Sequence, residues 1–204
     1  MKKHTSALTA LSAVIAVVLA VFGCAHERGG PGDAGWVTLF DGSNLDQWYR
    51  VGDGNWRLED GAVVADKLTG KNQGFLVSNK MYRDFELHAE FWVSHDANSG
   101  IYMRCGNPMV FTDKICYEAN IFDQRKDPTY GTGALVHIAK VVPMPKAGGQ
   151  WNTYDITVKG TRIVLVLNGV KTVDVEDSTL KSGHIGLQYA AGVVKFRKVQ
   201  IKEL

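Results

Sequence analysis

Cysteine is scarce and badly spaced for metal: Cys24, Cys105 and Cys116 form no CxxC pair, which argues against a zinc site. Charge of one sign is missing too. The 23 Lys and Arg against 21 Asp and Glu leave a formal net charge of +2 with no basic cluster, which excludes the electrostatic footprint of a nucleic-acid binder. No stretch beyond the N-terminal segment keeps a helical apolar period over three turns, and no internal repeat or low-complexity tract interrupts the chain. What remains is a chain of short alternating runs behind one long apolar leader.

That leader reads as a sorting signal. Lys2 and Lys3 precede a mostly apolar run, Ala7 to Phe22, that is short for a membrane span and closes on Gly23-Cys24. Leu19-Ala-Val-Phe-Gly-Cys24 resembles a bacterial lipobox, in which the cysteine becomes the lipidated first residue; Phe22 stands where a smaller residue is usual. Ala25 occupies the position of the aspartate that retains lipoproteins at the inner membrane, which favours outer-membrane sorting. The expectation is a signal peptide over 1–23, a lipidated Cys24 with a glycine-rich tether over 24–34, and one domain over 35–204. The protein would then sit in the bacterial cell envelope, held to the membrane through its lipid alone.

The domain reads as all-β. Phe85, Leu87, Ala89, Phe91 and Val93 alternate with polar residues and Trp92, and Tyr154, Ile156 and Val158 repeat the pattern. Asn168-Gly169 is a strong hairpin signal between Ile163–Leu167 and Lys171–Val175, and Asp41-Gly42 and Asp60-Gly61 mark further turns. About a dozen such runs predict two antiparallel sheets packed face to face, with the doubly apolar Ile163–Leu167 strand central. Trp36, Trp48 and Trp56 are expected in the core near a sheet edge.

Two runs carry polar groups where a plain sheet face would otherwise stand. Asn98-Ser-Gly-Ile-Tyr-Met-Arg104 puts Tyr102 and Arg104 on one face, and Tyr117-Glu-Ala-Asn-Ile-Phe-Asp123 puts Glu118 and Asn120 on one face. Paired through 105–115, they would gather a guanidinium, a phenol, a carboxylate and a carboxamide in one groove; a surface salt bridge across a hairpin is the plainer alternative. Cys105 and Cys116, at the hairpin end, are a candidate disulfide. Strict alternation sets them on opposite faces, so the bridge needs a bulge or turn there.

Trp36-Val-Thr-Leu-Phe-Asp-Gly-Ser-Asn-Leu-Asp-Gln-Trp48, Trp56 with Glu59-Asp-Gly61, Phe85-Glu-Leu87, Asn98 to Arg104, Tyr117-Glu118, Thr132-Gly133, Trp151-Asn152, Leu167-Asn-Gly169 and Gly186-Leu-Gln188 occur in an order that resembles the 3-keto-disaccharide hydrolase family, also described as 3-keto-glucoside lyases and hydratases. The resemblance implies a concanavalin A-like jelly-roll sandwich acting on sugars already oxidised at carbon 3 by a separate sugar 3-dehydrogenase. A ketone there acidifies the carbon 2 hydrogen, so a base can drive elimination of the group on carbon 1, and water added to the product completes net hydrolysis. Many relatives carry an aromatic residue where this chain has Val136.

That chemistry asks for a base and for a stabiliser of the enolate oxygen. Glu118 is the candidate base, with His137 as alternative. Arg104 is the candidate for holding substrate or enolate charge, and Tyr102 for donating to the ketone or leaving oxygen. Asn98, Asn120 and Gln188 are candidates for binding hydroxyls. Asp123 is a candidate for a hydroxyl or a metal, and Trp151 and Trp92 for stacking on a sugar ring. A divalent metal on the enolate oxygen would suit the reaction, though no ligand set with diagnostic spacing is present. A lectin-like carbohydrate-binding module without catalysis is the rival reading. A conventional sandwich-fold glucanase is a weaker one, since its Glu-x-Asp-x-Glu strand pattern is absent.

Overall fold

Alternation decides which side chains meet between the sheets. In β6 (Phe85–Val93) every odd-numbered residue is buried and every even-numbered one is half-exposed; beside it β9 (Trp151–Lys159) buries its even-numbered residues, and β13 (Val194–Glu203) alternates with a shift at Arg197–Lys198. Each buried Phe or Leu of this kind contributes about 1.5 to 3 kcal/mol. The computed structural model describes residues 35–204. The sorting signal, Cys24 and the tether lie outside the described residues.

The larger sheet runs in the order β11 (Val170–Glu176), β10 (Arg162–Leu167), β9, β6, β13, β4 (Ala62–Ala65), β3 (Arg57–Glu59), with β1 (Trp36–Phe40) also paired to β13. The smaller sheet has five strands in the order β2 (Trp48–Val51), β5 (Gly74–Tyr82), β12 (Gly183–Tyr189), β7 (Ser99–Cys105), β8 (Tyr117–Ile121). Every pairing between named strands is antiparallel. A 3-10 turn at Pro128–Tyr130 is the one helical element among the described residues.

The two sheets close over a core that joins Leu87, Phe91, Ile156 and Phe196 of the larger to Leu76, Ile101, Met103, Ala119 and Leu187 of the smaller. Trp48 and Trp56 are buried in it, while Trp36 is only half-buried. Asn168 and Gly169 both have positive φ, 50° and 77°, as the tight turn between β10 and β11 requires. One expectation is corrected here. β10 is not central but second from the edge, and Val164 and Val166 on its second face are half-exposed.

A second, smaller cluster forms on the outer face of the five-stranded sheet. Phe75, Val77, Tyr102, Cys105, Phe111 and Cys116 pack there, with Tyr49 and Val51 against them. The segment 106–115 crosses this face as a roof, and the Cys105–Cys116 disulfide ties its two ends together across a Cα separation of 4.7 Å. Arg104 makes the bridge geometrically possible. Its φ of 52° breaks the alternation, so Cys105 leaves the face of Met103 and joins that of Tyr102 and Cys116.

Candidate active site

The β7–β8 hairpin sets Tyr102 directly opposite Glu118 and Gly100 opposite Asn120. Gly186 of β12 lies on the other side of Tyr102, and Leu187 pairs with Ile101, so one step further brings Gln188 beside Gly100. Two rows of side chains therefore cross the outer face: Gly186, Tyr102, Glu118 and Gln188, Gly100, Asn120.

Gly100 is the floor of this arrangement. A Cβ there would stand 2.9 Å from Glu118 Oε1 and 3.1 Å from its Cγ, so the carboxyl lies where any other residue would have put its side chain. Glu118 is only 4% exposed. Burial raises its pKa to about 7; the neighbouring Asp113 carboxylate adds to the rise, while a hydrogen bond with Tyr102 and the charge of Arg125 oppose it. The Tyr102 phenol is pushed up, first by burial and then by the Glu118 charge.

The amides on either side are fixed and incompletely used. Gln188 Nε2 donates to the Tyr102 hydroxyl at 3.1 Å and to Gln73 Oε1 at 2.9 Å, and Asn120 Nδ2 donates to the Tyr130 carbonyl at 2.7 Å. Gln188 Oε1 and Asn120 Oδ1 are buried with no partner in the protein. An unpaired buried acceptor costs about 1 to 3 kcal/mol. Two of them flanking one notch form a site that asks for hydrogen-bond donors from a ligand.

The strand that carries Glu118 is held on its far edge as well. Val136 N–H donates to the Glu118 carbonyl and Asn120 N–H to Ala134, so the 133–136 segment covers what would be a bare sheet edge. From the other sheet, the buried Tyr154 hydroxyl reaches across the core to the Asn120 carbonyl at 2.8 Å. Asn98 stands two residues before Gly100, on the same face, with its backbone bonded to Ala190 and Ala191.

The remaining residues singled out in the sequence lie elsewhere. Arg104 does not share the groove of Tyr102: the left-handed backbone turns its guanidinium inward, where it donates to the carbonyls of Arg83 and Leu180 and to Asp84 Oδ1 at 2.7 to 3.0 Å. Burial pulls its pKa down, and the Asp84 carboxylate opposes that. The Asp123 carboxylate is engaged by the protein: it accepts from Thr132 Oγ1 and from the amides of Ala147 and Gly148, tying two loops together. Trp151 and Trp92 pair with each other on the outer face of the larger sheet, on the opposite side of the sandwich, where Arg197 lies over the Trp151 ring at 4.2 Å. His137 is on the rim, exposed, with Nε2 2.9 Å from Asp113 Oδ2.

Four neighbours of the site were not singled out from the sequence. Gln73 ends the amide chain, Phe111 of the roof sits against Tyr102, and Asp113 and Arg125 supply charge near Glu118. Only Phe111, a lone aromatic between the two cysteines, could have been suspected. Among the described residues no three His, Cys, Asp or Glu side chains gather as a metal-binding group.

The fold has close counterparts among solved structures. A crystal structure of a candidate glycosyl hydrolase from Parabacteroides distasonis aligns with a TM-score of 0.71 at 18% identity, covering 85% of this chain and 95% of that one. A carbohydrate-binding module from Bacillus subtilis aligns with a TM-score of 0.59 at 17% identity, covering 83% and 96%. In sequence, the chain is 28% identical over 161 residues to a 3-keto-disaccharide hydrolase of Bacteroides thetaiotaomicron, over 64% of this chain and 56% of the relative, so it spans little more than half that protein's length. The family described as the 3-keto-alpha-glucoside-1,2-lyase-like domain matches residues 35–202, and the chain belongs to that family.

Proposed function

We propose that this domain cleaves 3-keto-glycosides by base-assisted elimination, with Glu118 as the base. The observation that carries the reading is a sealed carboxyl with a pKa near 7, seated on a glycine floor between a phenol and two unpaired amide oxygens. A general base works best when its pKa lies near the working pH. The unpaired oxygens of Asn120 and Gln188 suit the hydroxyl groups of a sugar.

In this reading the Glu118 carboxylate takes the proton from carbon 2, and the electron pair of that bond moves into the ketone to give an enolate. Tyr102 is the donor beside the developing oxygen charge. The enolate then collapses: the ketone re-forms, a double bond forms between carbons 1 and 2, and the bond from carbon 1 to the leaving oxygen breaks. The leaving oxygen picks up the proton held by Glu118. Addition of water across the new double bond, hydroxyl to carbon 1 and hydrogen to carbon 2, gives the free 3-keto sugar and completes net hydrolysis.

The substrate's ketone must come from a separate sugar 3-dehydrogenase. The reading also includes action in the cell envelope on a lipid anchor at Cys24, and the Cys105–Cys116 disulfide is in keeping with an oxidising compartment. Loss of membrane association in Cys24→Ala checks the anchor.

The test is turnover of 3-keto-trehalose and 3-keto-glucosides carrying deuterium at carbon 2. Elimination predicts aglycone release with a primary isotope effect and loss of the label to water. Release with the label fully retained would replace it by direct hydrolysis. Binding of unoxidised glycans with no turnover of any keto sugar would replace it by a carbohydrate-binding module.

A further inference from the structure

The row that contains the glycine floor continues beyond the site. Gln188 pairs with Phe75 of β5, and Phe75 with Val51 of β2, so Val51, Phe75, Gln188, Gly100 and Asn120 lie on one line across the sheet. Strands spaced about 4.8 Å apart put Phe75 roughly 10 Å from Gly100. That offset is within reach of a substituent on a sugar seated against the Glu118 carboxyl above Gly100.

A cleft opens at that end of the row. Its volume is about 540 Å³, enough for one ring with its substituents. Apolar Val51, Phe75, Met109, Val110 and Phe111 line it together with polar Lys71, Asn72 and Gln73. Gln73 joins the cleft to the site directly, through Gln188 to Tyr102. The roof is seated firmly at this point, because the Phe111 ring packs tilted against Phe75 with centroids 4.9 Å apart and occupies the space a side chain on Gly186 would need, 2.6 Å from the ideal Cβ position.

We infer that this cleft is the leaving-group subsite and that it takes an aryl aglycone in preference to a second sugar. The inference rests on the elimination reading above. Its basis is the roof's two outward side chains: Met109 is 65% exposed and Val110 44%, although both are apolar and stand beside the buried Phe75 and Phe111. Neither offers a hydrogen bond. Against these side chains the face of an aromatic ring gains from apolar area and from contact with the methionine sulfur, whereas a second sugar gains only where its hydroxyls reach Lys71, Asn72 and Gln73.

The test compares phenyl and methyl 3-keto-glucoside with the full-length chain and its Met109→Ser/Val110→Ser variant. Both positions are exposed, so thermal melting should match wild type. The subsite predicts about a tenfold fall in kcat/KM for the phenyl substrate and no more than twofold for the methyl one, from the lost apolar contact. The intrinsic ease with which phenol leaves cancels between the two proteins. Equal losses on both substrates, or no loss on either, overturn the inference. Turnover of neither substrate by wild type overturns the elimination reading instead, and the subsite is then judged by calorimetric titration with unoxidised phenyl and methyl glucoside. It requires tighter phenyl binding that the double variant abolishes; equal affinities overturn it.

Discussion

The two outward faces of the sandwich treat polar side chains in opposite ways. On the larger sheet charges are exposed and paired: Arg197 meets Glu90 at 2.5 Å while lying over Trp151, and Arg162 and Lys171 share Asp174. Burial works against ionisation of Glu90, but Arg197 and His88 outweigh it and hold the carboxyl below its ordinary range. On the smaller sheet the polar groups are sealed under a roof and left incomplete: Glu118 is pushed upward, and Asn120 and Gln188 each keep an unpartnered oxygen. A surface that solves its own electrostatics has nothing to offer a ligand beyond its shape. One that carries unpaired acceptors and a carboxyl poised near neutrality has given up stability, and a bound substrate can return it.

The sharpest way to test this contrast is to remove one carboxyl or aromatic from each face. Glu118→Gln keeps shape and hydrogen bonding but cannot take a proton, and should lower kcat on a 3-keto-glucoside by about 10² to 10⁴; Trp151→Ala, on the far face, should change it less than about twofold. A comparable loss in both would break the division of labour between the sheets.

Arg104 offers a second test, since it belongs by sequence to the site and by geometry to the scaffold. Arg104→Met removes the guanidinium donor from the Arg83 and Leu180 carbonyls and from Asp84, which keeps only the Gly160 N–H on its Oδ1. Urea unfolding should show a loss of about 3 kcal/mol, with turnover per folded molecule close to wild type. Unchanged stability with lost turnover would return Arg104 to the chemistry.

Glu118 should also leave a mark on the pH dependence of stability. In the unfolded chain it ionises near 4.5, but in the folded protein it stays protonated until about 7, so the folded state binds more protons in between. Its contribution is therefore fully present below pH 4.5 and lost as pH rises through 7, a fall of roughly 3 kcal/mol. Denaturation of Glu118→Gln between pH 4.5 and 8 should lack that fall. The smallest effect belongs to the other face: Arg197→Ala, which opens an exposed ion pair, should cost under about 1 kcal/mol and less still in high salt.

Alternation alone was enough to bring Tyr102, Glu118 and Asn120 together, because β7 and β8 are adjacent in sequence and regular up to Met103. The same rule fails one residue later, where the left-handed backbone of Arg104 reverses the parity and no residue type announces it. The position of Trp151 relative to the site was hidden for a different reason. Its strand and its aromatic ring were legible, but which of two sheets the β9–β10 hairpin joins is settled by a pairing with a distant segment, here β6. Asp123, a candidate for a hydroxyl or a metal, is claimed by backbone amides, which carry no signature in a side-chain pattern. The alternative placement of Ile163–Leu167 at the centre likewise could not anticipate that β11 would be the edge strand beside it.

The disulfide below the roof sets a condition on how this protein should be handled. Floor and wall come from different sources: the floor is sheet, held by backbone hydrogen bonds, while the wall is a segment closed by one covalent cross-link that needs an oxidising environment to form. Material made in a reducing cytoplasm would keep Glu118 over Gly100 but present a wall anchored mainly by Phe111. On the proposed elimination, activity on small substrates and selectivity among large ones would then vary separately between preparations, so a batch can look fully folded and still mislead about its preference.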